Sequence, residues 1–248
     1  LTDDSAAAIR MLESFKDYTL VRNSAVVAHR GDRTYPDNSI ESFTSAAQSG
    51  AAAVAKPEKK YGFLAVCAGD GLAATFRDLG VDRIVSGGQT MNPSTEAILQ
   101  EVNQTPSEVV FVLPNNKNII MAAQQCVGLT EKQVIIVPTA TVPQGITAMM
   151  NVDLDEEDPQ VILQAMTEAA QHVTTAQVTY AARNSDFDGF AISEGDYLAL
   201  TDGKLYGTDR DLGSLLESLA KFAGEKDAEF ITVFYGADVT EDDAAKAE

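Results

Sequence analysis

Basic residues are scarce in this sequence. Its 18 lysines and arginines face 37 aspartates and glutamates, for a formal net charge of −19 at neutral pH. A surface of that sign repels nucleic acid and anionic membranes, so neither is expected as a partner. An acidic ligand would have to be held by local donors, whereas a basic patch on another protein would be attracted. Cysteine is nearly absent too. Cys67 lies in a strand-like run and Cys126 in a helix-like one. Both read as small buried apolar side chains, and a reducing, cytoplasmic setting is expected. No apolar run is long enough to span a membrane. The acidic opening, Thr2-Asp3-Asp4, is unlike a signal peptide. The chain starts at Leu1 rather than methionine, as expected of a piece of a longer protein.

What is present suits one large or two small globular domains: 248 residues, 45% of them hydrophobic. The sequence is organised around Gly87-Gly88-Gln89-Thr90-Met91-Asn92-Pro93-Ser94-Thr95. An apolar run leads in, and an amphipathic run from Glu96 leads out. Two glycines permit a tight turn, and Ser94 or Thr95 can cap the helix that follows. Such a loop sits at the carboxyl end of a strand and the amino end of a helix, where open α/β sheets bind ligands and where anions are favoured.

The amino-terminal stretch predicts a helix over 5–15, then a short strand, Ala25-Val26-Val27-Ala28, followed by His29-Arg30-Gly31 and Tyr35-Pro36-Asp37-Asn38-Ser39. Residues 26–51 resemble the start of a glycerophosphodiester phosphodiesterase, with Asp37 for the usual glutamate and Ser39 for the usual threonine. That family needs an acidic metal pair on the next strand and a later His-Asp. Here Gly50 leads into Ala51-Ala52-Ala53-Val54-Ala55, and His172 precedes Val173. A divalent metal needs several oxygen ligands, so residues 1–55 read as an incomplete fragment and linker, with hydrolysis through His29 the weakest of three functional readings.

From residue 56 to 152, strands and helices alternate. Strands are expected at 61–68, 82–86, 108–113 and 133–137, and helices at 72–79, 94–103 and 118–127. Residues 51–60 read as a linker. This grammar predicts a parallel α/β sheet. From 153 to 248 it changes: a helix over 158–172, then short strands, an Asp202-Gly203 hairpin turn, a helix over 211–222, a strand over 230–235 and a helix starting at Glu241. That pattern predicts an α+β subdomain with antiparallel strands. Tyr180, Tyr197, Tyr206, Met121, Met149 and Met150 read as core packing.

Several motifs recur in order and spacing: Gly69-Asp70-Gly71, Gly88-Gln89-Thr90-Met91-Asn92-Pro93-Ser94-Thr95, Leu113-Pro114-Asn115-Asn116, Val137-Pro138-Thr139 and Thr141-Val142-Pro143-Gln144-Gly145. On these the chain, from Tyr61 to about Val239, resembles the carboxyl-terminal region of the large subunit of bacterial fatty acid kinase. The resemblance implies a DegV-like α/β fold. It implies that ATP and magnesium belong to a separate dihydroxyacetone-kinase-like domain, and that the partner is the subunit that presents the fatty acid. Neither an aspartate-rich magnesium site nor a Walker-type loop is present, so no catalytic residue, metal ligand or cofactor is expected in this chain. A homodimer is a further possibility. Gln89, Thr90, Asn92, Ser94, Thr95, Asn115, Asn116, Asn118, Thr139, Thr141 and Gln144 should gather at one sheet edge. Such amides and hydroxyls can hold a carboxylate or phosphate without a metal, be it a fatty acid or a small anion. They can equally cap helices and stitch loops together. The second reading is preferred, because no arginine or lysine beyond Lys117 backs the set.

Overall fold

The computed structural model describes residues 54–88, 92–187 and 190–226, with shorter stretches at 228, 230–236, 239–240, 242 and 244. The helix expected over 5–15, the phosphodiesterase-like segment with His29, and most of the helix from Glu241 lie outside the described residues. The chain divides into two compact units, Leu1–Val173 and Thr174–Glu248.

The first unit is built on a parallel sheet of β1 (Lys59–Cys67), β2 (Arg83–Ser86), β3 (Ser107–Leu113) and β4 (Gln133–Ile136), in the order β2-β1-β3-β4. Helices α1 (Asp70–Asp78), α2 (Thr95–Gln104), α3 (Lys117–Gln125) and α4 (Val142–Met150) follow the four strands in turn, and α5 (Pro159–Gln171) packs against α4. Leu64 of β1 stands opposite Arg83 on one side and Val112 on the other.

The sheet has a core on each face. Phe63, Cys67, Phe111 and Leu113 pack with Phe76, Met149, Ile162 and Met166. The alternate residues Leu64, Val66, Val110 and Val112 pack with Ile98, Val102 and Ile119. Cover on both faces is why these strands read as nearly unbroken apolar runs. Phe63 stacks on Phe111 with ring centroids 5.4 Å apart; burying one such ring stabilises the fold by about 1.5–3 kcal/mol.

β1 starts inside the expected linker. Lys59 pairs with Ser107, its ammonium meets Asp82 Oδ1 at 2.6 Å, and Lys60 Nζ donates to the Glu157 carbonyl at 2.7 Å. Long lysine stems let charged heads reach the rim from within a strand, so charge alone did not mark a loop.

The second unit holds an antiparallel sheet of β5 (Ala176–Tyr180), β8 (Tyr197–Thr201) and β9 (Lys204–Asp209), in the order β5-β8-β9, and a hairpin of β6 (Ser185–Phe187) and β7 (Phe190–Ile192). The β8–β9 turn has positive φ at Asp202 (50°) and Gly203 (81°), the left-handed pair that a two-residue hairpin requires. Helix α6 (Leu212–Glu225) is capped by Asp211, and Tyr206 of β9 meets Phe222 with centroids 5.2 Å apart.

Three expectations are corrected. Residues 230–235 form no strand, because a strand exists only on a ladder and none runs beside them among the described residues. Tyr180 and Tyr206 are exposed rather than core; β5 and β9 are the two edges of a three-stranded sheet. Met121 and Met150 are exposed while Met149 is buried. Consecutive helical residues point about 100° apart, so Met149 and Met150 cannot both face the sheet. Among the described residues no helix is long and apolar enough to cross a membrane.

Candidate functional site

Because the four strands run parallel, their carboxyl ends share one edge. β2 and β3 lie on opposite sides of β1, so the chain changes direction between β1 and β3. That reversal opens the crevice in which sheets of this class take ligands. Asn115, just after β3, bridges it. Its Nδ2 donates to the Val66 carbonyl on β1 at 2.9 Å, and its backbone N–H donates to Thr139 Oγ1 at 3.1 Å. Asn115 has φ of 55°, a left-handed conformation that asparagine tolerates better than other side chains. Thr139 is fully buried, and its own N–H donates to the Val137 carbonyl at 2.7 Å.

The remaining groups close local turns. Asn116 caps α3, its Oδ1 accepting from the Asn118 N–H at 2.9 Å. Thr141 caps α4, its Oγ1 accepting from the Gln144 N–H at 3.4 Å, while Gln144 Oε1 accepts from the Ala140 N–H at 2.8 Å. Ser94 caps α2 through the Ala97 N–H at 3.2 Å, and Thr95 Oγ1 donates to Gln125 Oε1 at 2.9 Å. Asn92 is exposed; Gln89 and Thr90 lie outside the described residues. The structure therefore joins Asn115 to Thr139 and Thr141 to Gln144, and ties Thr95 to the end of α3.

Among the described residues, two buried side-chain atoms have no hydrogen-bond partner: Asn115 Oδ1 and Asn116 Nδ2. The first presses on α4. A Cβ built on Gly145 would lie 2.1 Å from Asn115 Oδ1, so the helix seats on this loop only because that position is glycine. The second leaves one amide donor unmade, which costs about 1–3 kcal/mol if nothing meets it. Sequence reasoning left Gly145 and the Val66 carbonyl out of the site. A glycine within a helical pattern is the one signal that could have pointed to Gly145.

Burial is the main influence on the nearby Cys67 thiol and pushes its pKa up, with Arg77 pulling the other way. It is not primed as a nucleophile. Among the described residues no cluster of three His, Cys, Asp or Glu side chains is arranged to hold a metal ion. The candidate groups described at this edge are neutral amides and hydroxyls, bonded mostly to nearby backbone.

Residues 62–248 match the family model for the C-terminal domain of FakA-like fatty acid kinase proteins. Protein YloV of Bacillus subtilis is 38% identical over 192 residues, 77% of this chain and 34% of its own length. An uncharacterized protein of Staphylococcus epidermidis is 34% identical over 175 residues, 70% of this chain and 31% of its own. One from Staphylococcus aureus is 34% identical over 176 residues, with 71% and 32% covered. The chain thus spans about one third of the length of these relatives.

Proposed function

The chain belongs to the FakA-like C-terminal domain family of fatty acid kinases, and from that membership we propose that it is a non-catalytic domain of a fatty acid kinase large subunit that helps to dock the fatty-acid-binding subunit for acyl phosphate formation. The observation that supports this reading is the Asn115 bridge at the carboxyl edge of the first sheet. Its side chain ties the loop after β3 to the Val66 carbonyl, its N–H donates to Thr139 Oγ1, and Gln144 Oε1 accepts from the Ala140 N–H. Donors and acceptors committed to the chain's own loops in this way suit a scaffold for a partner rather than a substrate site.

Magnesium needs several oxygen ligands, and the described residues supply no such cluster. In this reading ATP and magnesium belong to a separate kinase domain of the longer protein. The acidic surface favours a partner with a basic face. Calorimetric titration of the chain with the acyl-loaded partner tests the reading. Saturable binding without ATP hydrolysis is expected; absence of binding would overturn it.

Asn116 Nδ2 supports a second reading, a DegV-like module that holds a fatty acid or small anion. The buried donor would meet a carboxylate oxygen. Mass spectrometry of protein purified from cells should then find one fatty acid per protein molecule, lost in Asn116→Asp. Ligand-free protein would end this reading.

A further inference from the structure

Phe230-Ile231-Thr232-Val233-Phe234-Tyr235 is an uncharged run in a chain of net charge −19, and all six residues have high β propensity. All six are exposed, Phe230 with 90% of its surface in solvent and Ile231 with 67%. Extended, the segment would put Phe230, Thr232 and Phe234 on one face and Ile231, Val233 and Tyr235 on the other. Both faces are apolar. That is the signature of a strand covered on both sides within a sheet, as β1 and β3 are in this protein, and not of a solvated edge. Scattered apolar residues on a surface are ordinary, but a contiguous run of this kind marks an interaction site.

Among the described residues, nothing gives the segment a ladder for its backbone or cover for each face. A second copy would bring a net charge of −19 against an equal charge, which opposes its approach. The relatives, however, are about three times as long as the region they share with this chain. We propose that Phe230–Tyr235 is a docking strand, completed by an uncharged β-strand of the same longer polypeptide, which pairs along it and brings cover to both apolar faces. Backbone hydrogen bonds would supply the register, and alternating apolar side chains the specificity.

Hydrogen–deuterium exchange on this chain and on full-length YloV tests the proposal. In this chain the amides of 230–235 should exchange near the rate of an unstructured peptide. The corresponding segment of YloV should exchange slower by about 100-fold or more, as ladder amides do. Equally fast exchange in YloV would overturn the proposal. So would protection that appears in this chain alone as its concentration is raised, which would assign the face to a second copy. As an independent readout, Phe234→Lys should leave the melting temperature of this chain unchanged, while the matching substitution should lower that of YloV by several degrees. A comparable loss in this chain would mean the segment is already packed, and the proposal would fail.

Discussion

Cys126 shows how strongly burial governs single residues here. It is fully buried on the α3 side of the sheet, and its Sγ reaches the Thr95 carbonyl at 3.4 Å and the Ala122 carbonyl at 3.7 Å. Desolvation pushes its thiol from 9.0 up to about 11, since a thiolate in that apolar site would have no counter-charge. The consequence for stability has a definite sign. Below pH 9 the thiol is neutral in both folded and unfolded chains, and nothing is lost. Between pH 9 and 11 the unfolded chain releases the proton first, so the fold weakens as pH rises. Urea midpoints measured at pH 8 and at pH 10.5 should therefore fall more for the parent chain than for Cys126→Ala. Equal slopes would show that the thiol does not titrate with unfolding. Across the sheet edge, Asn115 makes the complementary point. Its amide is valuable for one bond, to Val66, and its position is set by a backbone conformation that few residues adopt.

At the scale of elements, α4 and the loop after β3 fit only through Gly145. Gly145→Ala places a methyl carbon 2.1 Å from Asn115 Oδ1, a contact that real Cβ atoms do not make. The Asn115 side chain is anchored to β1 and cannot swing away without breaking its bond to Val66. Overpacking of this kind costs about 1–3 kcal/mol. Chemical denaturation should show a loss in that range, and the double variant Gly145→Ala, Asn115→Ala should recover part of it. A change below about 0.5 kcal/mol in the single variant would show that the loop yields freely. This contact was not legible beforehand, because periodicity reports which face of a helix is apolar and is silent on which residue it touches. Most of the elements were legible. The parallel strands announced themselves as doubly apolar runs, and Asp202-Gly203 as a hairpin turn. Residues 230–235 misled for the opposite reason: their side chains carry a strand's pattern, while a ladder depends on a neighbour that local sequence does not specify. The candidate site residues were named by type, as loop amides and hydroxyls. The partners of Asn115, Val66 and Thr139, lie tens of residues away and follow only from the sheet order, whereas the caps at Ser94, Asn116 and Thr141 are local.

For the whole molecule, charge is the property that a docking partner would meet first. A net charge of −19 acts over distances set by screening, about 10 Å at 0.1 M salt, and so governs encounter more than the contacts made afterwards. If the acidic surface guides the fatty-acid-binding partner, raising salt from about 50 to 300 mM should weaken docking by about 10-fold, with most of the loss in the association rate. Apolar contact alone predicts the reverse, since screening leaves buried hydrophobic area untouched and high salt tends to strengthen it. Surface plasmon resonance across that salt range separates the two. A dissociation constant that stays level or falls, with an unchanged association rate, would remove the acidic surface from the docking reading. A salt-dependent association rate with a constant dissociation rate would instead place long-range attraction ahead of contact.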